Sequence, residues 1–378
     1  MAISHDLPVL ASLSDRWRAM RDALLASARF QRLAAAFPLT RPIARRRAAA
    51  LFDLCAGFVY SQVLVACVRL DLFVQLRSGP LAAATLAARA ELPADSMQAL
   101  LDAACALRLL ERCGRARYGL GPLGAAMLGN PGIAAMVTHH AALYADLDDP
   151  VALLRREAGP RRLASYWPYA QDDQPAALPR ETVAAYTDLM AASQPMIADE
   201  VLSAYPVSRH RCLLDVGGGD GSFLIAAARR APRLELKLFD LPEVAAIARD
   251  RLAAAGLGAR ATVATGDFFR DRLPQGADVI SLVRVVHDHD DEAVLRLFAN
   301  VRSALPKDGV LLVGEPMSDG AGCGGITAYF EIYLRAMGQG QPRCFDHLHR
   351  LLRSCGFSNV RRLRTRIPMI ASVIVAKS

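Results

Sequence analysis

At 378 residues the chain exceeds the size at which a single hydrophobic core keeps growing, so two domains are expected, and 53% hydrophobic residues leave ample material for them. The net charge of +8 is uneven: residues 1–47 hold nine arginines against Asp6, Asp15 and Asp22 and account for +6 of it. Eight cysteines are scattered without a CxxC pair, several inside apolar runs, and read as buried thiols of a protein in the reducing cytoplasm.

The chain opens without a basic start leading into an apolar core, so no signal peptide is expected. Residues 1–47 form a basic arm in which Trp17, Met20 and Leu24, then Phe30, Leu33 and Phe37, fall at helical spacing among arginines. Two roles stay open for it, a dimerisation arm and peripheral contact with an anionic membrane face. The stretch FPLTRPIARRR resembles a hinge. Beyond it, residues 48–130 carry helical patterns at Leu51–Leu72, Ala82–Ala90 and Asp95–Leu110, then a short hairpin in RARYGLGP. The longest apolar stretch, Leu54 to Val68, falls short of the roughly 20 residues a membrane span needs, so a buried helix is expected.

Three helices and a hairpin give a winged-helix order, which raises DNA binding. The segment from Asp95 to Leu107 at the recognition-helix position has two aspartates and no Lys or Arg, so it cannot neutralise phosphates, and no nucleic-acid partner is expected. Residues 131–207 read as helical, connecting and roofing a pocket. From 208 to 378, RCLLDV, LELKLF, ARATVAT, ADVISLV and GVLLVGE alternate with helices. This alternation predicts a parallel, doubly wound sheet with ligands at the strands' carboxyl ends, and NVRRLRTR and MIASVIVA bring the strands to seven.

The first of these strands ends in LLDVGGGDGSF, an apolar run with Asp215 at its end that breaks into glycines before a helix. Glycine lets the backbone turn sharply and lets a ligand approach without Cβ interference. A dinucleotide fingerprint would need a glycine where Ser222 stands, so the spacing favours a G-x-G-x-G loop. Asp240 closes the next strand and Asp267 follows the third in GDFF. This ordered set resembles the S-adenosylmethionine (SAM) methyltransferases of class I, with a Rossmann-like seven-stranded sheet; in that family the first acid binds the ribose hydroxyls and the second the adenine amine. Similar small-molecule O-methyltransferases use their N-terminal winged-helix domain to form homodimers.

The fourth strand runs into SLVRVVHDHDDE, so His287 and Asp288 emerge at the sheet's carboxyl edge, where transfer chemistry is expected. Histidine suits uptake of an alcohol proton near neutral pH, and Glu315 at the end of the fifth strand is placed to fix its tautomer. A metal reading of His287, His289 and Asp291 as H-x-H-x-D lacks the histidine that usually follows, Glu292 standing there instead, so no metal is expected.

DVGGG, FDLPE, GDFF, RVVHDHDDE and GEPM resemble the O-methyltransferases of plant phenolic and hydroxyindole type. On that resemblance His287 is the base, Glu315 its partner with Asp288 beside them, and Asp215, Gly217, Gly219, Asp240, Leu241, Asp267, Phe268, Arg284 and Ser193 are cofactor contacts. In one departure, Pro342 stands where plant members carry a second glutamate. A narrower resemblance runs through FPLTRPIARRR, ALFDLCAGFVYSQVL, HHAALYADLDDPVALLR, ASYWPYAQ and YFEIYLRAMGQGQPR to the acyclic carotenoid O-methyltransferases of phototrophic bacteria, which methylate a C-1 tertiary hydroxyl of demethylspheroidene or hydroxyneurosporene type. It implies an apolar substrate pocket that includes His139, His140, Trp167, Met190, Tyr329, Tyr333 and Met337. Two alternatives stay open, a methyltransferase for a phenolic or polyketide metabolite and a ligand-sensing winged-helix regulator.

Overall fold

The computed structural model describes residues 13–157, 159, 161–166, 180–319 and 324–378. Its N-terminal part begins with α1 (Leu13–Ala26), α2 (Ala28–Ala36) and α3 (Arg41–Arg69). The expected hinge is a turn at residues 37–40 followed at once by α3, with Pro42 near the helix start, where its missing N–H costs nothing. A boundary drawn between residues 47 and 48 therefore falls inside a continuous helix.

The expectation of a buried helix at Leu54–Val68 is also corrected. Cys67 is the only fully buried residue of α3, and Leu51, Phe52, Leu54 and Phe58 are exposed. The helix is long and apolar enough, by length and composition, to cross a membrane. Its C-terminal half instead lays Val63, Leu64 and Val68 against the core of the N-terminal domain.

That core is completed by α4 (Leu72–Gln75), β1 (Leu81–Ala82), α5 (Ala83–Arg89), α6 (Ala94–Ala106), β2 (Leu110–Arg112), β3 (Arg117–Leu120) and α7 (Pro122–Leu128). The three strands form a small antiparallel sheet in the order β1-β3-β2, the wing. The helix expected to reach Leu110 stops earlier because Arg108 takes a left-handed conformation (φ 60) that turns the chain into β2. Four helices, α8 (Pro131–Asp146), α9 (Pro150–Arg155), α10 (Arg162–Tyr166) and α11 (Arg180–Ala204), lead to the second domain.

There β4 (Cys212–Val216), α12 (Ser222–Arg230), β5 (Glu235–Asp240), α13 (Pro242–Ala254), β6 (Ala261–Thr265), β7 (Val279–Val283), α14 (Asp291–Ala304), β8 (Val310–Glu315), α15 (Gly324–Met337), α16 (Phe345–Ser354), β9 (Ser358–Leu363) and β10 (Ser372–Lys377) follow. The sheet order is β6-β5-β4-β7-β8-β10-β9. Strands β4, β7 and β8 are buried along their whole length, which is why they read as continuous apolar runs. Alternate residues feed opposite cores: Leu214, Ile280 and Leu282 face α14 and α16, while Leu213, Val279 and Val283 face α11 and α12.

The sheet is mixed, not wholly parallel, because β10 inserts antiparallel between β8 and β9. The connection from β9 to β10 is a short return without a crossover helix, so the strand must run back. Strand order reverses at β4 and β7, which opens a crevice above their carboxyl ends.

Candidate active site

The crevice is a cleft of about 1040 Å³ counted to its open mouth. Its floor is the glycine turn after β4, where Gly217, Gly219 and Gly221 hold φ of 67, 58 and 81, a region L side chains enter at a cost. Nothing lies within 4 Å of where a Cβ on Gly219 would stand, so the turn leaves cleft space that a ligand can fill. Asp240, buried at the end of β5, accepts from Gly219 N (2.8 Å) and Leu241 N (2.7 Å) and so braces the turn. Burial pushes its carboxyl up to about 6. Asp215 is pushed up to about 7 by burial, although Ser281 Oγ donates to it at 2.5 Å.

Leu241, Asp267, Phe268 and Phe269 line one side of the cleft, with an Asp267 oxygen accepting from Phe269 N at 2.8 Å. Helix α11 closes the other side with Tyr186, Met190 and Gln194. Pro195 lies within α11 and has no N–H, so the helical bond to the carbonyl of residue 191 is missing beside the cleft. Arg284, at a strained φ of 61, donates from Nη1 to Ser193 Oγ (2.8 Å) and sets Nη2 2.6 Å from Met190 Sδ. Met190 thus sits with the glycine turn.

Past β7 the chain makes a 3-10 turn over Val286–Asp288. His287 Nδ1 lies 2.5 Å from Glu315 Oε2, while Glu315 Oε1 accepts from Val285 N (2.8 Å) and Val286 N (2.7 Å). His287 Nε2 is 3.1 Å from Asp288 Oδ1. Burial disfavours the imidazolium, but the Asp288 and Glu315 carboxylates together outweigh it and hold the His287 pKa above its ordinary value. Burial raises Asp288 to about 6, His287 offsetting it only in part.

The H-x-H-x-D residues go to separate partners. His289 sets its ring edge-on to Phe269 at 4.9 Å, and burial lowers its pKa to about 4; Asp291 accepts from Gln341 Nε2, Arg343 Nε and His347 Nε2.

Residues that sequence reasoning did not single out complete the turn. The stretch containing Pro342 packs under it: Gln341 N donates to His287 O (2.9 Å), and a Cβ on Gly340 would meet that same oxygen at 2.5 Å. Arg343, 3% exposed, donates to Val286 O (2.8 Å), His289 O (2.7 Å) and Asp291 Oδ1 (2.8 Å). Where the resemblance expects a glutamate, the loop supports His287 through backbone carbonyls. The signal available was a lone arginine beside the proline, and nothing local told it from a surface one.

Phe330, also unremarked in the sequence, sets its ring 5.6 Å from His287. Tyr329 lies 5.1 Å from it and stacks on Tyr333 at 5.3 Å. His139 Nε2 bonds Tyr333 OH and His140 Nε2 bonds Tyr329 OH, each at 2.9 Å, tying α8 to α15. Burial lowers both imidazoles, His139 to about 4, so they are neutral partners to the phenols. Met337 packs into the apolar cluster of Leu143, Leu153 and Leu163. Trp167 lies outside the described residues.

The O-methyltransferase domain family matches residues 146–358, and the O-methyltransferase dimerisation domain matches residues 52–130. The chain belongs to the O-methyltransferase family.

This O-methyltransferase is 45% identical over 354 residues to the demethylspheroidene O-methyltransferase of Cereibacter sphaeroides, covering 93% of each chain. It is 41% identical to the enzyme of the same name from Rhodobacter capsulatus, over 92% of this chain and 86% of that one. Human N-acetylserotonin methyltransferase, solved in complex with SAM, superposes with a TM-score of 0.73 at 25% identity, covering 88% of this chain and 97% of that one. The O-methyltransferase uses SAM, and the open glycine turn with its buried carboxylates fits that cofactor. The dimerisation match spans the winged-helix domain and supports a homodimer.

Proposed function

We propose that the enzyme methylates the C-1 tertiary hydroxyl of an acyclic carotenoid of demethylspheroidene or hydroxyneurosporene type. The observation that carries this reading is the 45% identity to a demethylspheroidene O-methyltransferase across 93% of both chains. A cluster of rings in which Phe330 meets His287 and Tyr329 meets Phe330 and Tyr333 supports it by setting aromatic side chains, suited to an apolar acceptor, beside the base.

In this reading Asp240 would hold the ribose hydroxyls, Asp267 the adenine amine and Phe268 the adenine, with Asp215, Gly217, Gly219 and Leu241 as further contacts to the cofactor. Arg284, steadied by Ser193, would meet the methionine carboxylate or the ribose edge. SAM supplies a methyl group activated on a sulfonium. His287 Nε2 takes the acceptor's proton, Glu315 fixes Nδ1–H, and Asp288 stabilises the imidazolium. An alkanol lies about 10 pKa units above imidazole, so full prior deprotonation would cost roughly 14 kcal/mol. Proton uptake therefore accompanies or follows methyl transfer, and positioning in a dry pocket supplies much of the rate.

The test is chromatography of products formed from labelled SAM with a detergent-solubilised acyclic C-1 hydroxycarotenoid, against catechols and hydroxyindoles. The carotenoid should be methylated and the small phenols left largely untouched, being too small to hold an in-line geometry in an elongated pocket. Faster turnover of a phenol would move the enzyme to phenolic or polyketide metabolites.

A further inference from the structure

Helices α1 and α2 bury no side chain. On α1, Leu13, Trp17, Met20 and Leu24 recur at the spacing of one helix face and are 85, 57, 65 and 50% exposed. Exposed apolar residues continue through Leu33, Phe37 and Ile43. Nine arginines stand against Asp15 and Asp22 between residues 13 and 47. Arg18 and Arg21 pair with those aspartates, and the remaining arginines have no carboxylate partner among the described residues. Arg21 also lies 5.4 Å over the Trp17 ring.

The exposed apolar surface changes character near residue 50. From Leu51 to Val68 the only charge on α3 is Asp53, and the dimerisation match begins at residue 52, so a second copy is the natural cover there. Residues 13–47 lie outside both family matches. A second copy laid over them would set one surplus of arginine against an identical one. An anionic bilayer instead offers opposite charge together with a headgroup boundary that accepts Trp and Leu side chains.

We propose that α1, α2 and the first turns of α3 form a docking surface for an anionic lipid bilayer, with the helices lying in the interface and arginines reaching the headgroups. Docking stands independently of the substrate; that it would bring the cleft to the phase where a polyene dissolves rests on the carotenoid reading.

The test is flotation of the full chain with vesicles containing phosphatidylglycerol and, separately, with pure phosphatidylcholine. Flotation is expected with the anionic vesicles only, weakening several-fold at high salt. The double variant Trp17→Ser/Leu24→Ser should lower vesicle partitioning about tenfold or more, and each of Arg16→Gln and Arg29→Gln by roughly fivefold. Sedimentation should show an unchanged oligomer, and calorimetry unchanged SAM binding. Absence of flotation, equal flotation with neutral vesicles, or partitioning unmoved by the variants would overturn the proposal. So would conversion of the double variant to a monomer, which would assign the surface to a second copy.

Discussion

Glu315 divides its carboxylate between two tasks: Oε2 meets His287 Nδ1 at 2.5 Å, and Oε1 takes the backbone N–H groups of Val285 and Val286. The residue that sets the imidazole's tautomer thus also fixes the turn that carries it. Glu315→Gln cannot serve both, because an amide has a single acceptor oxygen. Turnover should fall by roughly 10²- to 10⁴-fold with SAM affinity nearly unchanged, read by calorimetry and a turnover assay on the same protein. His287→Ala should behave alike, and unaltered turnover in either variant would end the general-base assignment.

The pH profile follows from the two carboxylates beside His287. The His287 pKa is raised above 6.5, and Asp288 is one of the charges that raise it, so the base form accumulates only as pH rises through that elevated value. kcat should therefore increase with pH through an inflection above 6.5. Asp288→Asn removes a stabilising charge from the imidazolium and should move the inflection to lower pH. An inflection that stays in place would show that the Asp288 charge does not act on the imidazolium.

SAM affinity should titrate with Asp240. Its carboxyl is held at about 6 by burial, and ribose recognition needs the ionised form, so affinity should be level above that pH and weaken by up to about tenfold per unit below it. In the ligand-free protein the same shift has the opposite sign. The folded state holds this proton more tightly than the unfolded one, so the group's contribution to stability declines as pH rises from 3.8 towards 6. Asp240→Ala should lose charge-assisted bonds worth roughly 1.5–3 kcal/mol each. Retained SAM affinity with a defect only in methyl transfer would contradict the assignment.

Arg343 offers a test of support from beneath the turn. In Arg343→Lys the charge remains, but one ammonium cannot span Val286 O, His289 O and Asp291 Oδ1 as the guanidinium fork does. kcat should drop roughly tenfold or more, with the pH inflection displaced and SAM affinity within about twofold. A fall in melting temperature with kcat and pH profile intact would limit Arg343 to stability.

What the sequence by itself determined were features with a local physical cause. A strand buried on both faces must be an apolar run, a backbone turning off it towards a ligand needs glycine, and acids closing such strands stand at one edge. That logic located β4, β7 and β8, the turn at Gly217–Gly221, and Asp240, Asp267, His287 and Glu315, while β5 and β6, less buried, were placed by the alternation of strand and helix. The tertiary structure decided what depends on pairing between distant segments. Only the folded sheet shows β10 running antiparallel between β8 and β9, because strand direction is set by the neighbour and not by the strand's own residues. Likewise Arg343 and Phe330 look like any arginine and phenylalanine on their helix and loop. Arg343 reaches the backbone on either side of His287, and Phe330 its ring, because β7, α15 and the 340–343 loop converge, a meeting that no spacing along the chain encodes.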